Sequence, residues 1–344
     1  WKNEKETRKE ECRVSEKKAE RHLPVLENAD IRNVYELNGI TVTEGYVPFG
    51  KFQTYFRIAG DISSGNPPLL LLHGGPGSTH NYFEVLDCLA KETGRAIISY
   101  DQLGCGNSYI DDCPELWNAD TWVDELSNLI DALALEKIHL LGQSWGGMLA
   151  ITYLAERTQE GICSVILSST LSDSQLWGRE QHRMALQLPE KEQQAIAEAE
   201  ETGNYSSEEY LSAISHYMQI HCCDQKYGED APECLRRSKR SGTESYVTAW
   251  GPDELTPVGT LADWNYTDRL HGITIPAFIV SGTEDLCTPL IAKTMYDNLP
   301  HARWELMAGC RHMCFVDNRE AYCRNLSDWM AAHDRQAVCG VESR

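Results

Sequence analysis

The spacing of apolar residues along the chain changes character twice. Over residues 39–46 and 51–59 apolar and polar positions alternate, with a turn at 48–50 between the two stretches. A period of two on either side of a turn predicts a pair of antiparallel strands. The pattern then becomes short unbroken apolar runs, at 69–72, 96–100, 138–141, 164–168 and 277–280, with a further strand over 303–306. Runs without alternation suit strands buried on both faces of a parallel sheet. Helical periodicity fills the gaps at 79–91, 121–135, 145–157, 290–298 and 319–332. Alternating strands and helices predict an α/β fold, a mostly parallel central sheet with helices on both faces.

The alternation stops near Leu171 and resumes near Ile273. The interval carries polar helical patterns over 189–201 and 207–222, with Pro189 suited to a helix start and Gly203 to a stop. A helical insertion of this size predicts a cap over the sheet. The expected layout is a core of residues 31–170 and 261–344, a helical cap of residues 171–260, and a charged extension at 1–30. That extension holds 8 Lys+Arg against 8 Asp+Glu and is neutral, with Pro24 ending any helix in it.

Composition narrows the partners. With 31 Lys+Arg against 52 Asp+Glu, the 344-residue chain has a net charge of −21. That balance argues against nucleic acid, which needs clustered cations. No apolar run approaches the roughly 18 residues of a membrane span, so no membrane partner is expected. The 13 cysteines are mostly scattered and include no repeated CxxC, so they read as thiols of a cytoplasmic protein rather than as disulfides or a zinc site.

The chemistry is concentrated in one motif. Gly142-Gln143-Ser144-Trp145-Gly146-Gly147 follows a buried strand and opens an apolar helix. A G-x-S-x-G in that setting is a nucleophile elbow, with the glycines permitting a tight turn that exposes the serine. A serine hydroxyl needs a base, and the base needs an orienting acid. In this fold the order is Ser, Asp, His. Asp285 follows the strand at 277–280, and His312 follows the strand at 303–306. His73-Gly74-Gly75-Pro76-Gly77 follows the strand at 69–72, and Gly74 and Gly75 let backbone approach a substrate carbonyl. The N–H groups of Gly75 and Trp145 are the expected oxyanion hole. Asp101-Gln102-Leu103-Gly104-Cys105-Gly106-Asn107-Ser108 reads as a sharp loop tied together beside the site.

These motifs resemble the proline iminopeptidase (prolyl aminopeptidase) family of α/β-hydrolases, including the tricorn-interacting aminopeptidases. Further matches are Trp250-Gly251-Pro252-Asp253-Glu254, the stretch 259–270, Ser281–Pro289 by number 281–289, and 309–313, in family order over roughly residues 35–335. The resemblance implies an α/β-hydrolase fold, a Ser144–Asp285–His312 triad that agrees with the reading above, and a helical cap over about residues 171–260. It implies removal of one N-terminal residue, often proline, from short peptides or aminoacyl amides with a free amine. It also makes Glu254 the carboxylate that anchors that amine. Trp145, Trp177, Trp250 and Tyr246 could line an apolar pocket for a pyrrolidine ring or, equally, pack within the cap. The family often carries a second Glu directly after the triad Asp; here that position is Leu286. Glu284 or Asp253 could replace it, or an esterase, lactonase or amino-acid amidase could use the same machinery. The triad chemistry calls for no metal and no organic cofactor, and the sequence leaves the oligomeric state open.

Overall fold

The computed structural model describes residues 26–224 and 226–334. The expected charged extension therefore lies outside the described residues as far as residue 25. Three strands, β1 (Asp30–Leu37), β2 (Ile40–Phe49) and β3 (Phe52–Ala59), form an antiparallel meander. The hairpin β2–β3 is the expected one, with its turn at Gly50–Lys51. Most of β1 is exposed, which left the sequence with no covered face to reveal it as a full strand.

Six parallel strands follow: β4 (Leu69–Leu72), β5 (Ile97–Asp101), β6 (Ile138–Gln143), β7 (Ile162–Ser168), β8 (Ala277–Gly282) and β9 (Ala302–Met307). The nine strands form one sheet in the order β1-β2-β3-β5-β4-β6-β7-β8-β9. Side chains alternate across it. Leu70, Leu72, Leu140, Val165, Leu167 and Ile279 enter one core, and Leu69, Leu71, Leu141, Ile166, Phe278 and Val280 enter the other. This is why the strands read as unbroken apolar runs. Each such side chain contributes up to about 1.5–3 kcal/mol by burial.

The first core is closed by α2 (Ala119–Ala132) and α3 (Trp145–Glu156). The second is closed by α1 (Cys88–Thr93) and, near the end of the described chain, by α11 (Arg319–His333). The stretch expected as one helix at 79–91 divides into a 3-10 segment, His80–Leu86, and α1. Nearly every residue of that segment is buried, so it has no polar face to impose the α-helical period.

Between β7 and β8 lie α4 (Ser174–Ala185), α5 (Glu190–Thr202), α6 (Glu208–His221), α7 (Glu233–Arg236) and α8 (Thr243–Ala249). Asp173 caps α4 and Ser207 caps α6, each accepting from helix backbone N–H groups. Pro189 stands at the N-cap of α5, one residue before the helix, and Gly203 closes it at a φ of 72°. After β8 come α9 (Pro289–Asn298) and, ahead of α11, α10 (Cys314–Asp317). Among the described residues no helix is long and apolar enough to cross a membrane.

Candidate active site

Ser144 follows β6 directly and precedes the first residue of α3, in a backbone conformation (φ 57°, ψ −126°) that non-glycine residues rarely adopt. Its neighbours explain why the turn holds. A Cβ on Gly146 would run into the Leu72 carbonyl, and one on Gly142 into the Gly146 carbonyl. The first amides of α3 have no carbonyl partner within the helix, which leaves the Trp145 N–H free to serve the site. The Trp145 indole turns away from it, donating to Gln102 Oε1 at 2.8 Å and packing on Trp122.

Asp285 and His312 come together as expected. His312 Nδ1 donates to Asp285 Oδ1 at 2.7 Å, which fixes Nε2 as the free nitrogen. The carboxylate is well supplied with donors: Cys287 N on Oδ1, and Ser169 Oγ and Gly282 N on Oδ2. Ser144 and His312 both line one cavity of about 420 Å³. No hydrogen bond joins the Ser144 hydroxyl to His312; such contacts commonly tighten when substrate binds. Burial works against the imidazolium, but Asp285 and, behind it, Glu254 overcome that effect and raise the His312 pKa above the ordinary histidine value.

The loops around the serine are bound into one network. Gly74 N donates to the Tyr82 hydroxyl at 2.6 Å, and Tyr82 donates to Gln143 Oε1 at 2.9 Å. Gln143 Nε2 reaches the His312 carbonyl at 3.4 Å. On the far side Gln102 Nε2 donates to the His73 carbonyl, and Gln102 N to His73 Nε2. Burial lowers the His73 pKa to about 4, so it is a neutral structural acceptor. Asp101 ties its loop together, accepting from His80 and Asn107. Sequence reasoning missed Tyr82, Gln143 and Ser169. The one available signal was that Gln143 lies inside the elbow motif.

Glu254 lines the same cavity and is the one Asp or Glu among the described lining residues. Tyr246 donates to its Oε2 at 2.8 Å. Burial pushes the Glu254 carboxyl up to about 7, opposed by His312 and by the Tyr246 hydrogen bond. The expectation that Trp250 and Trp177 line the pocket needs correction. Both are almost wholly buried, and each indole N–H donates to the Glu254 backbone carbonyl, at 3.4 and 3.2 Å. They hold the residue that faces the cavity, and Trp177 also sets its ring edge against His312. Leu286 does face the cavity. Neither candidate replacement acid does: Asp253 turns to the Leu255 and Thr256 amides, and Glu284 is exposed.

The helices between β7 and β8 are stitched to the loops that carry Asp285 and His312. His312 N donates to the His221 carbonyl at the end of α6 at 3.0 Å. His221 Nδ1 lies 2.8 Å from the Glu284 carbonyl, and Gln181 Nε2 of α4 donates to the Leu286 carbonyl at 2.9 Å. The same segment supplies Met218, Cys222, Cys223 and Cys234 to the cavity wall. All described cysteines are free thiols. Cys105, Cys287 and Cys310, which fall in the site motifs, are buried.

A family model for the alpha/beta hydrolase fold matches residues 67–319. A proline iminopeptidase of Clostridioides difficile (strain 630) is 54% identical over 293 residues, covering 85% of this chain and 99% of that protein. One from Lactobacillus delbrueckii subsp. bulgaricus is 55% identical over 295 residues, with coverage of 85% and 99%. The crystal structure of a proline iminopeptidase from Mycobacterium smegmatis superposes with a TM-score of 0.75 at 30% identity, covering 86% of this chain and 100% of that one.

Proposed function

The chain belongs to the proline iminopeptidase family of α/β-hydrolases, and we propose that it is a serine aminopeptidase releasing an N-terminal proline or small apolar residue from short peptides. The observation that carries this reading is Glu254. Among the described residues a single carboxylate lines the cavity that holds Ser144 and His312, and an aminopeptidase must recognise a cationic N-terminus beside its nucleophile. Charge-assisted hydrogen bonding of this kind is worth about 1.5–3 kcal/mol.

Ser144 Oγ attacks the carbonyl of the first residue while His312 Nε2 takes the hydroxyl proton. The Gly75 and Trp145 N–H groups receive the oxyanion, each such donor being worth roughly 3 kcal/mol. Asp285 holds the imidazole tautomer and stabilises its cation. His312 returns the proton to the leaving amine, and water, activated by the same base, then hydrolyses the acyl-enzyme. The helices of residues 171–260 act as the cap that closes over this chemistry, with Tyr246 and Leu286 as apolar walls for the first side chain. No step calls on a metal or an organic cofactor.

The test is a pair of prolyl anilides, one with a free amine and one N-acetylated. The free amine is expected to be the better substrate by about a hundredfold or more in kcat/KM. Equal rates would favour the ester, lactone or amidase reading, for which Leu286 is the supporting observation.

A further inference from the structure

Four basic residues stand close together at the end of α7 and in the stretch that leads to α8. Arg236 Nε donates to the Ala231 carbonyl. Arg237 is held by Glu84 and Glu233. Arg240 stacks on the Tyr109 ring, 3.3 Å from its centroid. Lys239 differs from the other three in facing the cavity. It is in no ion pair among the described residues, and its ammonium stands 5.5 Å over the Tyr82 ring. It is accessible to solvent and is the one Lys or Arg among the described residues that line the cavity.

Among the described residues the cavity therefore carries one acidic and one basic side chain, Glu254 and Lys239, which form no ion pair with each other. Glu254 is influenced by His312, Tyr246 and Asp253. Lys239 is influenced instead by Cys223, Cys105, Asp101 and Cys222. The net effect of its surroundings is to lower the Lys239 pKa, through partial burial against the cavity wall. An ammonium that lines the cavity and is in no ion pair among the described residues favours an anionic ligand. Lys239 also sits over Tyr82, whose hydroxyl holds Gly74, so it lies on the wall of the oxyanion-hole loop rather than on the Glu254 wall.

Resting on the aminopeptidase reading, we propose that Lys239 is a specificity residue that receives the free C-terminal carboxylate of the leaving part of the substrate. Glu254 and Lys239 then select the two ends of a zwitterionic short peptide lying across Ser144. Peptides blocked at the C-terminus lose the second contact and keep the first.

Hydrolysis of prolyl-alanine and of its C-terminal amide would be compared by following released proline. The intact enzyme is expected to prefer the free acid roughly tenfold in kcat/KM, in line with one charge-assisted contact. Lys239→Met is expected to abolish that preference, and Lys239→Arg to retain most of it. A preference that survives in Lys239→Met, or is absent from the intact enzyme, would overturn the assignment. Measuring the preference in the intact enzyme at rising salt gives a check that depends on no variant: it should shrink, and a salt-independent preference would also count against Lys239. A prolyl anilide has no carboxylate on its leaving group. Failure of the intact enzyme on that substrate would break the aminopeptidase reading itself, separately from Lys239.

Discussion

The parallel sheet and the helical segment between β7 and β8 contribute to one cavity by different means. Ser144, Asp285 and His312 follow β6, β8 and β9, and backbone geometry places them: a strained turn, a strand end and amide donors. The segment contributes Met218, Tyr246, Glu254 and Lys239, and places them by side-chain packing and hydrogen bonds to neighbouring loops. The proposed chemistry thus rests on a scaffold buried on both faces, and the proposed selection on elements with a large exposed surface. The sheet can keep one reaction while the segment changes what is admitted to it.

That division can be broken by experiment. Removing the nucleophile should have the largest effect. Ser144→Ala is expected to lower kcat for a prolyl anilide by at least about four orders of magnitude while circular dichroism stays unchanged. An active, folded variant would place the reaction elsewhere. Next comes stability. Phe278 is fully buried in β8 and stacks on Trp329, so Phe278→Ala should cost about 3–5 kcal/mol in denaturant unfolding.

The proposed selectivity of the segment should show in Glu254→Gln, with a loss of about a hundredfold in kcat/KM on a free-amine substrate and far less on its N-acetylated form. Its pH profile sharpens the point. As pH falls through about 7 the Glu254 carboxylate is neutralised, and His312, held above the ordinary histidine value by Asp285 and Glu254, is also protonated on the acid side. Both changes remove activity on the acid side. Log kcat/KM should therefore fall there with a slope near 2 in the intact enzyme and near 1 in Glu254→Gln; an unchanged slope would remove Glu254 from amine binding. The smallest effect is expected on the outer face of α6. Leu211 is 52% exposed, and Leu211→Ala should shift stability by less than about 0.5 kcal/mol.

The same division decided what the sequence revealed. The elbow, the H-G-G-P-G loop and the acid and base loops were legible because each needs small residues or a strand end at a fixed spacing. The sheet was legible because burial on two faces leaves unbroken apolar runs. Glu254 came only through family resemblance, since a loop acid among 52 has no local signature. Trp250 and Trp177 stayed open between pocket and packing in the sequence because an indole suits either, and only their burial and N–H bonds to the Glu254 carbonyl separate the two roles. Lys239 was invisible for the same reason: its neighbours in sequence are cations too, and only the partners of Arg236, Arg237 and Arg240 leave it as the one that faces the cavity.

The bond from the His312 amide to the His221 carbonyl at the end of α6 has a kinetic consequence. If α6 swings outward and the histidine loop stays in place, the bond must break. If the bond survives, the loop must travel with the helix and carry the imidazole away from the serine. An α6 that moves aside for a peptide thus either ruptures a tether to the base or drags the base along. Whichever occurs, opening of that helix and readiness for proton transfer are thermodynamically linked, and any substitution that loosens α6 should be read out in turnover as well as in access.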